Sequence, residues 1–212
     1  MEKNILCFGD SNTWGYTPGT GERYPRNVRW PGVLAEALGE GYHISEDGIN
    51  GRTTGYDFPW GDCRNGQSGL AYALLSQRPL DLLIIAVGIN DLTVVDSNLS
   101  AKSAAGLIRR ARMLQAVPDA GTYIFRDDVK ILIVAPAPVH PDYDKTFDIE
   151  YYEDSCRLAK LYKAMAEENG VEYLNAADYA QASPIDCVHY TEESHKKLGL
   201  AIAEKVREML GE

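Results

Sequence analysis

Leu82-Leu83-Ile84-Ile85-Ala86-Val87, followed at once by Gly88-Ile89-Asn90-Asp91, is the stretch that decides the fold. An unbroken apolar run of strand length leaves no polar face for water, so it reads as a central strand covered on both sides. Working outward, Lys130 to Ala135 reads the same way, halted by Pro136 and Pro138, and Lys3 to Phe8 reads as the first strand. Tyr42 to Asp47 is a weaker strand and Val171 to Leu174 a short last one. The segments between them carry helical spacing. Trp30, Val33, Leu34, Ala37 and Leu38 fall on one helix face, with Pro31 suited to the first turn. Gly69 to Gln77 reads as a helix. Ser100 is the expected N-cap of another, which turns Ala104, Leu107, Ile108, Ala111 and Leu114 inward. Tyr151 to Asn169 is a long helix ended by Gly170, and Thr191 caps a final one burying Leu198, Ala201, Ile202, Val206 and Met209. Strands alternating with helices predict an α/β fold with a parallel sheet covered on both faces. Ligands of such folds sit outside the carboxyl ends of the strands, so chemistry is expected just after each one.

A chain of 212 residues with 45% hydrophobic and 25% charged residues has room for a real core, and one domain over residues 1–212 is expected. Lys plus Arg is 21 against 31 Asp plus Glu, a net charge of −10 that repels phosphate backbones and anionic lipid. Neither nucleic acid nor a membrane is therefore an expected partner. The apolar run after Met1-Glu2-Lys3-Asn4 is too short for a secretory signal, and no stretch approaches a membrane span. Cys7, Cys63, Cys156 and Cys187 form no Cys-x-x-Cys pair and read as free thiols in a reducing cytoplasm. The polar stretches Gly15 to Arg29, Tyr56 to Gly66, Asp119 to Asp128 and Pro136 to Glu150 are long for connections, and read as lids, binding walls or subunit contacts.

Polar groups follow the strands. Gly9-Asp10-Ser11-Asn12 comes after the first. A serine at a strand-to-helix turn exposes its hydroxyl and sets its own amide at a helix N-terminus, which suits a nucleophile whose amide also holds an oxyanion. Asp-Ser-Asn is equally ordinary turn chemistry. Asp47 to Thr54 follows the second strand, where glycine either lets an amide approach a ligand or makes a plain turn. Asn90 offers a side-chain amide to the same crevice or caps its own turn. Before the last helix, Asp186 can accept from one imidazole nitrogen of His189 and leave the other to deprotonate a hydroxyl; a surface ion pair is the alternative. Asp186, His189 and His195 as metal ligands is the weaker reading, because no further cluster has ligand spacing, and no metal is expected. Jointly these turns supply a nucleophile, further oxyanion donors and an oriented base.

Gly9-Asp10-Ser11, Gly51, Gly88-Ile89-Asn90-Asp91 and Asp186-Cys187-Val188-His189 resemble, in order, the sequence blocks of the SGNH (GDSL-type) hydrolases. Ile5 to Gly15, Val28-Arg29-Trp30, Gly32-Val33-Leu34, Gly51-Arg52-Thr53-Thr54 and Pro79-Leu80-Asp81-Leu82 resemble the arylesterase/acyltransferase branch. The resemblance implies a flavodoxin-like three-layer α/β/α sandwich and esterase chemistry without a cofactor. It implies Ser11 as nucleophile, His189 as base and Asp186 as its orienter, with the Ser11 and Gly51 amides and the Asn90 side chain as the oxyanion hole. Asn12 stands where the family usually has leucine, and Cys187 where a small residue is usual. Asn12 is expected to add a polar group near the pocket mouth. Trp14, Tyr16 and Trp60 read either as walls for an acyl or alcohol group or as subunit contacts. Arg52 is expected to pack, or to hold its turn through Asp10 or Asp47; Asp91 to fix the turn around Asn90; Cys187 to pack. His43 and His140 read as structural and His195 as a surface residue.

The expected function is a cytoplasmic serine esterase acting on small, short-acyl and above all acetyl-type esters through an acyl-enzyme. Relatives suggest acyl transfer to other acceptors and a homo-oligomer whose neighbouring loops narrow the entrance. A carbohydrate O-deacetylase or a thioesterase of the same fold is the rival enzyme reading. A flavodoxin-like binding module is the rival from another class, although Gly9 to Thr13 is too short for a phosphate loop and carries an acid where phosphate would sit.

Overall fold

Alternate side chains of β1 (Lys3–Gly9) point to opposite faces, and both sets are apolar. Leu6 and Phe8 pack one way with Leu83 and Ile85 of β3 (Leu82–Ala86), while Ile5 and Cys7 pack the other way with Leu82 and Ile84. A strand buried on both faces needs helices on both. On one side lie α3 (Gly66–Gln77), α4 (Ser97–Ala116) and α6 (Tyr152–Glu168), which contribute Leu70, Leu107 and Leu158. On the other lie α2 (Trp30–Leu38) and α7 (Glu192–Leu210), which contribute Trp30, Leu34, Leu198 and Ile202. Each fully buried side chain of this size stabilises by about 1.5–3 kcal/mol.

A computed structural model describes residues 2–57, 61–116, 123–147 and 150–211. With β2 (Tyr42–Gly48), β4 (Ile131–Ala135) and β5 (Glu172–Asn175) the sheet has five strands, ordered β2-β1-β3-β4-β5 and all parallel. This is the three-layer sandwich the sequence predicts. After β1 the chain crosses to one side to form β2 and returns on the other to form β3. The switch point therefore lies between the carboxyl ends of β1 and β3, where ligands of open α/β sheets bind. A short helix, α1 (Ser11–Trp14), follows β1 there, and a 3₁₀ turn (Ile89–Thr93) follows β3.

Ser100 is not the N-cap it was expected to be. α4 begins a turn earlier at Ser97: the Asp96 carboxylate accepts from the Leu99 amide at 2.9 Å, and Asp154 on α6 accepts from the Ser97 amide and hydroxyl at 2.9 and 2.6 Å. That tertiary contact overrides the local preference. Ser100 instead lies inside the helix, its hydroxyl 3.0 Å from the Tyr162 hydroxyl. α3 likewise starts before Gly69, at Gly66 behind Asn65. Among the long polar stretches, Gly15 to Arg29 folds back on itself, and α5 (Tyr143–Phe147) forms within Pro136 to Glu150. Phe125, in the third stretch, bridges to Leu80. Trp60 lies outside the described residues.

Candidate active site

Ser11 opens α1 directly after β1. Asp10 caps that helix, its Oδ1 accepting from the Asn12 amide at 3.0 Å. Burial pushes the Asp10 carboxyl up to about 6, opposed by the Asn12 amide and by the His189 and Arg52 charges. The Ser11 hydroxyl lies 3.0 Å from His189 Nε2, and His189 Nδ1 lies 2.8 Å from Asp186 Oδ2. Asp186 Oδ1 accepts from the amides of Val188 and His189 at 3.1 and 3.0 Å, and Oδ2 also accepts from the Gly19 amide at 3.2 Å. Partial burial works to raise the Asp186 carboxyl, but its bonds from the His189 ring and from the backbone outweigh this and hold it down at about 2. An ionised carboxylate only accepts, so Nδ1 carries the ring hydrogen and Nε2 is left to accept from Ser11. The sequence brings aspartate and histidine together three residues apart because Cys187 between them takes a left-handed backbone, φ 64°. Its amide donates to the Ser183 carbonyl and its carbonyl accepts from the His140 amide, both at 2.8 Å, which holds that costly conformation. The buried Cys187 thiol packs, as expected.

The second strand delivers Gly51 with φ 76°, a conformation that favours glycine and turns the loop back over Gly9. Arg52, 2% exposed, braces this loop by donating to the Gly9 carbonyl at 2.8 Å and to Asp47 Oδ1 at 2.6 Å, with its guanidinium 3.9 Å above the Phe8 ring. Asp47 is thus its ion-pair partner. Gly88 closes β3 at φ 143°, where a Cβ would meet the Tyr162 hydroxyl at 2.0 Å. Asn90 then donates one amide hydrogen to the Arg52 carbonyl at 3.0 Å, which leaves its second. Asp91, fully buried, accepts from the Thr54 amide and hydroxyl at 2.7 and 2.5 Å, pinning the Gly51–Thr54 loop to the Asn90 turn rather than fixing that turn alone. Burial pushes the Asp91 carboxyl up to about 6 against these bonds.

Two expectations are corrected. Asn12 is buried, not at a pocket mouth: its Oδ1 accepts from the Tyr190 amide at 2.9 Å and its Nδ2 donates to the Val188 carbonyl at 3.5 Å. It joins the serine turn to the Asp186–His189 loop. His195 is fully buried, not a surface residue. Its Nδ1 accepts from the Trp30 amide at 3.3 Å, an orphan donor at the start of α2, where Arg29 supplies no side-chain cap. Burial, with the His189 and Arg29 charges, holds His195 down at about 3. No group of His, Cys, Asp and Glu suited to a metal, Asp186, His189 and His195 included, exists among the described residues. Trp14 and Tyr16 are half-buried, and the Tyr16 ring stacks on His189. The Gly19 contact to Asp186 carried no signal in the spacing. His43 is exposed, and His140 Nδ1 accepts from the Asp142 amide.

A parallel α/β/α sandwich with serine, histidine and aspartate in line at its switch point defines the class of serine ester hydrolases. The chain belongs to the GDSL-like lipase/acylhydrolase family, whose model matches residues 7–197. Among solved structures it is similar to Est24, a carbohydrate acetylesterase from Sinorhizobium meliloti, at 38% identity over 98% of this chain and 100% of that one, TM-score 0.89. It is similar to the native aryl esterase of M. smegmatis at 34% identity over 97% and 99% of the two chains, TM-score 0.86. A carbohydrate acetylesterase family member from Sinorhizobium meliloti matches at 36% identity over 99% and 100%, TM-score 0.85. A comparison with curated proteins gives no match.

Proposed function

We propose that residues 1–212 work as one unit that hydrolyses acetyl-type esters, with Ser11 as nucleophile, His189 as base and Asp186 as orienter. The observation that carries this reading is the continuous relay from Ser11 Oγ through His189 to Asp186, at 3.0 and 2.8 Å. His189 takes the Ser11 proton as Oγ attacks the ester carbonyl, and the imidazolium formed is held by the Asp186 carboxylate. The Ser11 and Gly51 amides and the free Asn90 amide hydrogen receive the oxyanion. Collapse expels the alcohol with the proton from His189. Water activated by the same base then frees the acid. The same acyl-enzyme can pass its acyl group to an alcohol, which is the acyltransferase part of the reading. The protein works in the cytoplasm as a homo-oligomer.

The likeness to Est24 favours a second substrate class, acetylated sugars. Initial rates on p-nitrophenyl esters of increasing acyl length, run beside sugar acetates and acetyl thioesters, test the assignment. Acetyl is expected to give the highest kcat/KM, and a serine-directed phosphonate to abolish turnover. A preference for long acyl groups, or for thioesters over oxygen esters, overturns it.

A further inference from the structure

Beyond α1 the chain turns back through a hairpin that touches every member of the relay. Tyr16 and Arg23 pair in an antiparallel bridge, with the Thr17 amide on the Glu22 carbonyl at 2.9 Å and the Tyr24 amide on the Gly15 carbonyl at 2.8 Å. Arg23 anchors the hairpin by donating to the Trp14 carbonyl at 2.7 Å, with its guanidinium 5.2 Å from the Trp14 ring centroid. From this base the Tyr16 amide donates to the Ser11 carbonyl at 3.0 Å. The Tyr16 ring lies on the His189 imidazole, centroids 4.0 Å apart and planes 22° apart. The Gly19 amide donates to Asp186 Oδ2 at 3.2 Å, on the oxygen that also receives His189 Nδ1.

We propose that Tyr16 is a positioning residue for His189, acting through the stacked face of its ring, and that the Tyr16–Gly19 hairpin is the clamp that sets the base against Ser11. This rests on the assignment of Ser11, His189 and Asp186 made above. The imidazole is held at its edge by Asp186, but an edge contact leaves the ring free to tilt about the Nδ1–Oδ2 line. A flat aromatic neighbour at 4.0 Å removes that tilt. It also presents the negative face of a π system to the ring at the moment His189 becomes an imidazolium, so its contribution is larger in the transition state than in the resting enzyme. That difference separates a positioning role from a pocket wall, which would act on substrate binding.

The test uses steady-state hydrolysis of p-nitrophenyl acetate and phosphonate labelling of Ser11 in Tyr16→Phe and Tyr16→Leu, with melting temperatures and a Ser11→Ala control. Tyr16→Phe keeps the ring and is expected to stay within about threefold of native. Tyr16→Leu removes it and is expected to lower kcat and the labelling rate together, about ten- to thirtyfold, with KM changed less than about twofold. A raised KM with kcat held makes Tyr16 a substrate wall and overturns the proposal. Equal losses in both variants assign the effect to the hydroxyl and overturn it too. If Tyr16→Leu does not fold, Tyr16→Met takes its place under the same criteria. Native turnover by Ser11→Ala removes the underlying assignment, whereas a dead Ser11→Ala beside a fully active Tyr16→Leu removes only the clamp.

Discussion

At Asn90 one amide hydrogen is held by the Arg52 carbonyl, and because the amide is planar this fixes the direction of the other. A donor aimed in advance strengthens as charge develops, so Asn90→Ala is expected to lower kcat about a hundred- to a thousandfold with a much smaller change in KM. A raised KM with kcat held would make Asn90 a binding residue instead. Ser11→Ala removes the proposed nucleophile; turnover should fall by at least about a thousandfold, and intact-mass spectrometry should show phosphonate on the native protein and none on the variant. Asp186 stays ionised down to about 2, so across the working pH range it is a constant acceptor for His189 Nδ1–H. Asp186→Asn puts a donor or a weaker acceptor in its place and permits the wrong tautomer, so kcat should fall about 10³–10⁴-fold while the protein stays folded. Near-native turnover by that variant would place the orienter elsewhere.

Between elements, His195 ties α7 to the first amide of α2, and it does so uncharged. His195→Ala leaves the Trp30 amide unpaired in a closed space; a loss of about 1–3 kcal/mol in stability is expected, with kcat near native. The pH dependence has a definite sign. An unfolded histidine takes a proton near ~6.5 while buried His195 resists to about 3, so its contribution is present above ~6.5 and lost as pH falls. The melting-temperature gap between native and variant should therefore narrow from pH 7 to pH 5. Asp91, which pins the Gly51–Thr54 loop to the Asn90 turn, runs the other way. Its folded value of about 6 lies above the unfolded ~3.9, so the stability tied to its protonated form is complete below ~3.9 and lost as pH rises through 6. Asp91→Asn still accepts from the Thr54 amide through Oδ1 and can donate to the Thr54 hydroxyl through Nδ2. It should gain on the native protein as pH rises from 4 to 7; an unchanged gap in melting temperature rules this out. The five strands and the long helices were legible from apolar runs and helical spacing, because strands buried on both faces and helices buried on one leave plain patterns, whereas α5 inside Pro136 to Glu150 was not. What stayed hidden depends on contacts between distant segments. Asp154 starts α4 at Ser97, the bare N-terminus of α2 draws His195 inward, and Tyr190 takes Asn12 away from solvent. The residues of the candidate site were legible as types in order after strands. The stacking of Tyr16 and the Gly19 contact were not, since neither follows from spacing.

Over the whole molecule, a net charge of −10 surrounds a site at the sheet's switch point. A negative field lowers the local concentration of anionic esters, and salt screens it over about 8–10 Å at moderate ionic strength. kcat/KM for an anionic acetyl ester should rise with added sodium chloride while that for neutral p-nitrophenyl acetate stays flat; parallel behaviour of the two would show that the field does not reach the site. Ser11 and its proposed base His189 lie 178 residues apart in the sequence and 3.0 Å apart in the fold. During synthesis the proposed nucleophile Ser11 thus emerges long before His189, and has no partner until the Asp186–His189 loop and α7 arrive and dock on α2. Contacts of such long sequence separation form late, and domains are completed only as their final elements appear. Ribosome-bound or truncated chains ending before Asp186 are accordingly expected to be silent towards esters and phosphonates, with turnover beginning only once the His189 loop has docked against Ser11.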